Sequence, residues 1–129
     1  GKGVELKSGK DITIVATGLC VSESLKAAEM LKEAGVDAQV INIHTIKPID
    51  EDIIINAAKK TGRIFTVEEH SIIGGLGSAV MEVLSEKYPT KVTRIGVNDT
   101  YGCSGPAKEL LHVFGLDAEG IAAKIKENL

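Results

Sequence analysis

The chain has no tryptophan and only four aromatic residues, Phe65, Tyr88, Tyr101 and Phe114. Its core must therefore be aliphatic, and a hydrophobic content of 43% is enough to build one from Ile, Val, Leu and Ala. A basic surface is missing as well. Acids number 18 against 15 Lys and Arg, the net charge is −3, and the two signs are interspersed. Without a basic stripe, nucleic acid is excluded as an expected partner. No apolar run approaches the roughly 20 residues of a bilayer span, and no secretory leader opens the sequence. The two cysteines, Cys20 and Cys103, are far apart and form no C-x-x-C pair. That usage predicts reduced thiols and a cytoplasmic protein.

The 129 residues predict one domain, 1–129, burying roughly two thirds of the surface its unfolded chain would expose. It starts at Gly1 and enters structured-looking sequence almost at once. An expression remnant, a removed initiator and excision from a longer polypeptide are all compatible with that start.

Elements follow from punctuation and periodicity. A short extended run, Val4 to Lys7, closes on Ser8-Gly9-Lys10-Asp11. Ile12 to Thr17 is almost entirely β-branched and reads as a strand buried on both faces. After Gly18, a helix is predicted from Ser22 to Ala34, with Val21, Leu25, Ala28 and Leu31 inward and Gly35 as its left-handed stop. Ala38 to Ile43 is the next strand. Asp50 should cap a helix over Glu51–Lys60 that buries Ile53, Ile54, Ala57 and Ala58. Arg63 to Glu68 is a third long strand, and a helix runs from the Gly74–Gly77 turn to Lys87 with Val80, Val83 and Leu84 inward. Val92 to Val97 is the last strand. A polar loop, Asn98 to Gly105, leads to a short helix from Pro106 to Gly115. Asp117 caps the final helix, where Leu116 staples onto Ile121 and the stripe is Ile121, Ala122, Ile125 and Leu129. Strands alternating with helices at this spacing predict a three-layer α/β/α sandwich around a mostly parallel sheet.

The residues with chemical potential gather where the third long strand ends: Glu68, Glu69 and His70, then Gly74, Gly75 and Gly77 before a helix. A strand-to-helix loop at the carboxyl edge of a parallel sheet is where ligands and partner domains meet. A carboxylate beside a histidine could do acid–base work, or it could anchor loop backbone and an interface. Glu68 and Glu69 alternate across the strand, so at most one faces any given site. The glycine loop could hold an anion at the helix N-terminus, or could simply turn tightly and let another domain pack closely. It contains no Lys or Arg to complement a phosphate. Gly75 is expected to need unusual φ and ψ. The first strand-helix junction, Thr17-Gly18-Leu19-Cys20, lacks G-x-G-x-x-G and so predicts no dinucleotide site. His44 and His112 have no second metal ligand at useful spacing, and Cys20 and Cys103 have no adjacent base to activate them. Asp99, Tyr101 and Ser104 get no role beyond turn and cap.

Four ordered segments resemble the C-terminal domain of transketolases: Gly9–Gly18, Val40–Asp50, Val67–Val80 and Arg94–Gly105. The likeness covers essentially the whole chain and is nearest to transketolases whose C-terminal half is a separate subunit. The same domain type closes 1-deoxyxylulose-5-phosphate synthases and the β subunits of 2-oxo acid dehydrogenases. The resemblance implies a five-stranded mixed sheet in order 1-3-2-4-5, with Val4–Lys7 as the antiparallel edge strand and a crevice between the strands ending at Thr17 and Glu68. It also implies that thiamine diphosphate and Mg²⁺ are held by two other domains, which carry the catalytic histidines and the cofactor-activating glutamate. On that basis no catalytic, cofactor-binding or metal residue is assigned to this chain, which would organise a dimer and a domain interface through its edge loop. Cys103 departs from the polar or acidic residue that relatives often carry. The alternative from another class is a free-standing α/β module binding an anion or nucleotide at the glycine loop.

Overall fold

A computed structural model describes residues 2–71, 75–97, 111 and 115–129. The elements are β1 (Val4–Lys7), β2 (Ile12–Ala16), α1 (Cys20–Glu33), β3 (Ala38–Asn42), α2 (Glu51–Thr61), β4 (Arg63–Ser71), α3 (Leu76–Lys87), β5 (Lys91–Val97) and α4 (Ala118–Glu127). The expected Asn98–Gly105 loop and the helix beginning at Pro106 lie outside the described residues.

The strands form one sheet in the order β1-β3-β2-β4-β5. β1 runs antiparallel to β3, and the pairs β2–β3, β2–β4 and β4–β5 are parallel. The centre is β2, all five of whose residues are buried. Its unbroken β-branched run is what a strand covered on both faces requires. Alternation along each strand then sorts side chains into two cores. On one face, Ile12, Ile14, Ala16, Phe65, Val67 and Ile95 pack under α1 and α4 through Ala27, Leu31, Ile121 and Ile125. On the other, Val15, Ile41, Ile43 and Ile64 pack under α2 and α3 through Ile54, Ala57, Val80 and Leu84. At the amino end of the second face, the Thr13 hydroxyl bonds Gln39 Oε1 and lies 2.9 Å from the Thr61 hydroxyl, so buried polar groups there are paired.

Several boundaries and faces differ from expectation. Helix α1 starts two residues early, at Cys20, because backbone carbonyls of Thr17 and Gly18 accept from Cys20 and Val21. Its buried face is Cys20, Ser24, Ala27, Ala28 and Leu31, while Val21 and Leu25 are only half-buried. Small side chains on that face let α1 approach the sheet closely, which a ranking by hydrophobicity overlooks. Ile53 is likewise half-buried. β4 continues beyond Glu68 to Ser71, pairing Ser71 with Val97 after an irregularity. Leu129 falls beyond α4 and is 60% exposed, so it has no part in the stripe. The stop at Gly35 (φ +85°) is left-handed as expected, and Gly62 (φ +71°) ends α2 in the same way. The Asp50 and Asp117 carboxylates cap α2 and α4 by accepting from Ile53 and Gly120.

Candidate functional site

At the carboxyl edge, β2 and β4 lie side by side, and the Thr17 N–H donates to the Val67 carbonyl at 3.3 Å. The chain leaves β2 into α1 on one face of the sheet and leaves β4 into α3 on the other. That divergence is the switch of strand order at which a crevice is expected.

The two adjacent carboxylates part company here. Glu68 follows Ile64 and Thr66 onto the α2–α3 face and is only 1% exposed. Its oxygens accept the Leu76 N–H at 2.9 Å and the Gly77 N–H at 2.8 Å, in the first turn of α3. Gly75, at the N-cap, has no side chain to do this. A carboxylate from eight residues upstream therefore caps the helix and neutralises the positive end of its dipole. Glu69 points to the α1–α4 face. Its carboxylate lies against the open Cα side of Gly18, whose φ is +62°. A β-carbon at Gly18 would displace that carboxylate, and the positive φ favours glycine in its own right. The Glu69 charge also bears on the buried Cys20, helping to push that thiol up. Glu69 Oε2 is buried and has no hydrogen-bond partner among the described residues.

Glu68 and Glu69 thus face opposite sides of the sheet, as their alternation along β4 predicts. His70 contributes its backbone to β4, while its side chain, like Gly74, lies outside the described residues. Gly75 has φ −100° and ψ −148°, outside the left-handed region. At this edge, Gly18 and Gly77 are glycines that a β-carbon would crowd. At Gly77 a β-carbon would lie 2.6 Å from Arg94 Cγ and 2.8 Å from the buried Thr66 hydroxyl. His44 is exposed, with Nε2 3.3 Å from Asn42 Nδ2. His112 and Cys103 lie outside the described residues, as do Asp99, Tyr101 and Ser104. Among the described residues no three His, Cys, Asp or Glu side chains gather to hold a metal.

A groove of about 280 Å³ adjoins the start of α3, between Ile46 and Ile49 of the β3–α2 loop and Gly75, Ser78, Ala79 and Val83. A larger one, about 540 Å³, lies away from this edge between α1 and α4, around Met30, Ala34 and Ala122. Volume and chemistry do not coincide. The larger groove has only surface Glu and Lys at its rim, so the edge is the better candidate.

The profile of the transketolase C-terminal domain matches residues 1–121. The chain belongs to the transketolase C-terminal domain family. It is 52% identical, over its full length, to a putative transketolase C-terminal section of Methanocaldococcus jannaschii, covering 40% of that protein. It is 43% identical over 95% of its length to 1-deoxy-D-xylulose-5-phosphate synthase 1 of Geobacter sulfurreducens, covering 20% of that enzyme. Among solved structures, a split-gene transketolase described as an inactive beta4 tetramer superposes with a TM-score of 0.90 at 48% identity. That match covers 98% of this chain and 41% of the other. The chain spans about two fifths of the first of these relatives and a fifth of the second. The sheet order and antiparallel edge strand implied by the resemblance are those observed.

Two outcomes follow for this transketolase C-terminal domain. Gly77→Ala should destabilise it by about 1–3 kcal/mol, since the Arg94 stem can shift but buried Thr66 cannot. A thermal melt checks this, and an unchanged midpoint would mean that α3 does not press on β4 as described. The second concerns Cys20. Burial, then the charge of Glu69, push its thiol well above the ordinary range. The thiolate is the reactive form, so native Cys20 should resist alkylation at pH 8 and react freely once unfolded. Because burial is the foremost cause, Glu69→Gln should speed the native reaction only modestly. Peptide mapping by mass spectrometry separates Cys20 from Cys103. Rapid native labelling of Cys20 would contradict its closed environment.

Proposed function

We propose that residues 1–129 are the C-terminal, non-catalytic domain of a transketolase. The whole enzyme would move a two-carbon ketol unit from a ketose phosphate to an aldose phosphate, as in the pentose phosphate pathway. Thiamine diphosphate and Mg²⁺ would be held by the other domains or by an N-terminal subunit. The carboxyl edge around Glu68, Glu69, His70, Gly74, Gly75 and Gly77 would meet that partner and help organise a cytoplasmic dimer. The observation that carries this reading is the internal commitment of both edge carboxylates. Glu68 already fills the α3 N-terminus that a diphosphate would need. Glu69 is turned onto Gly18 and Cys20 on the opposite face. A diphosphate carrying Mg²⁺ also needs oxygen ligands and cationic donors converging on one pocket. The described residues of this edge do not fit that group, and no catalytic step is assigned to them.

Supporting the transketolase reading are the family membership and the 52% identity to a transketolase C-terminal section. The likeness to a 1-deoxyxylulose-5-phosphate synthase makes that enzyme the competing whole. Calorimetric titration of the isolated chain with thiamine diphosphate and Mg²⁺ should show no binding, and a coupled ketol-transfer assay no turnover. Adding the thiamine-diphosphate-binding partner should restore ketol transfer. Micromolar cofactor binding by the chain alone would overturn the structural-domain reading. Activity of the assembled enzyme with pyruvate and glyceraldehyde 3-phosphate, but not with a ketose donor, would replace transketolase with the synthase. A saturable rise in melting temperature with inorganic phosphate would favour the anion-binding module.

A further inference from the structure

We draw no further inference here: the strongest candidate, the sheet-edge strand β1 with its exposed Val4 and Leu6, carries nothing because nothing in the structure shows what covers it.

Discussion

Val15→Asp is expected to abolish cooperative folding or lower the melting temperature by more than 10 °C, on the order of 3–5 kcal/mol at a few degrees each. Val15 is fully buried in β2, between Ile41 of β3 and Thr66 of β4. Its side chain belongs to the core under α2 and α3. An aspartate there would lie beside the buried Thr66 hydroxyl, which has no hydrogen-bond partner among the described residues. One donor falls far short of what an ionised carboxylate loses on leaving water. The expected loss is a large part of the roughly 5–15 kcal/mol available to a domain of this kind. Val15→Thr separates polarity from volume. It keeps the shape, and its hydroxyl can pair with Thr66, so it should cost about 1–2 kcal/mol. Circular dichroism melts of both variants decide the matter. An Asp variant melting within a degree or two of the parent would remove β2 from the centre of the sheet.

Local chemistry made much of this fold readable. A β-branched run marked β2, Gly35 marked a helix end, and Asp50 and Asp117 marked helix starts. Each signal acts within a few residues of its effect. Strand order depends on pairing between segments far apart in sequence, so periodicity could not supply it, and it came from the resemblance. The early start of α1 had no side-chain signal, since its N-cap is Leu19 and its first bonds are backbone to backbone. At the edge, alternation correctly separated Glu68 from Glu69. What each one does was not readable, because the partners are the α3 backbone and the Gly18–Cys20 corner brought over from β2. The same limit explains the glycines. Glycine density drew attention to Gly75, whereas the positive φ is at Gly18, before α1, and the tightest packing in α3 is at Gly77.

Glu68→Ala should then be the most damaging change at the edge. It removes the acceptor of two backbone N–H groups, and both Leu76 and Gly77 are buried. No side chain at the Gly75 N-cap can substitute. Leaving two buried donors unpaired, with the dipole uncompensated, should cost about 2–4 kcal/mol and roughly 10 °C in melting temperature. Glu68→Gln keeps the shape, but its carboxamide offers one oxygen to two donors and turns an N–H₂ toward the second. It should fall between Ala and the parent. Hydrogen exchange tells a lost cap from general loosening. The Leu76 and Gly77 amides should exchange much faster in Glu68→Ala, while the β2 amides keep their protection relative to global unfolding. Under the proposed function, the start of α3 belongs to the surface that meets the thiamine-diphosphate-binding partner. The same variant should therefore weaken reconstitution, lowering activity at limiting domain concentration and recovering it when the domain is in excess. Persistent inactivity at saturating, folded Glu68→Ala would instead place Glu68 in the chemistry, and an unchanged melt with unchanged exchange would show that the carboxylate does not hold the helix.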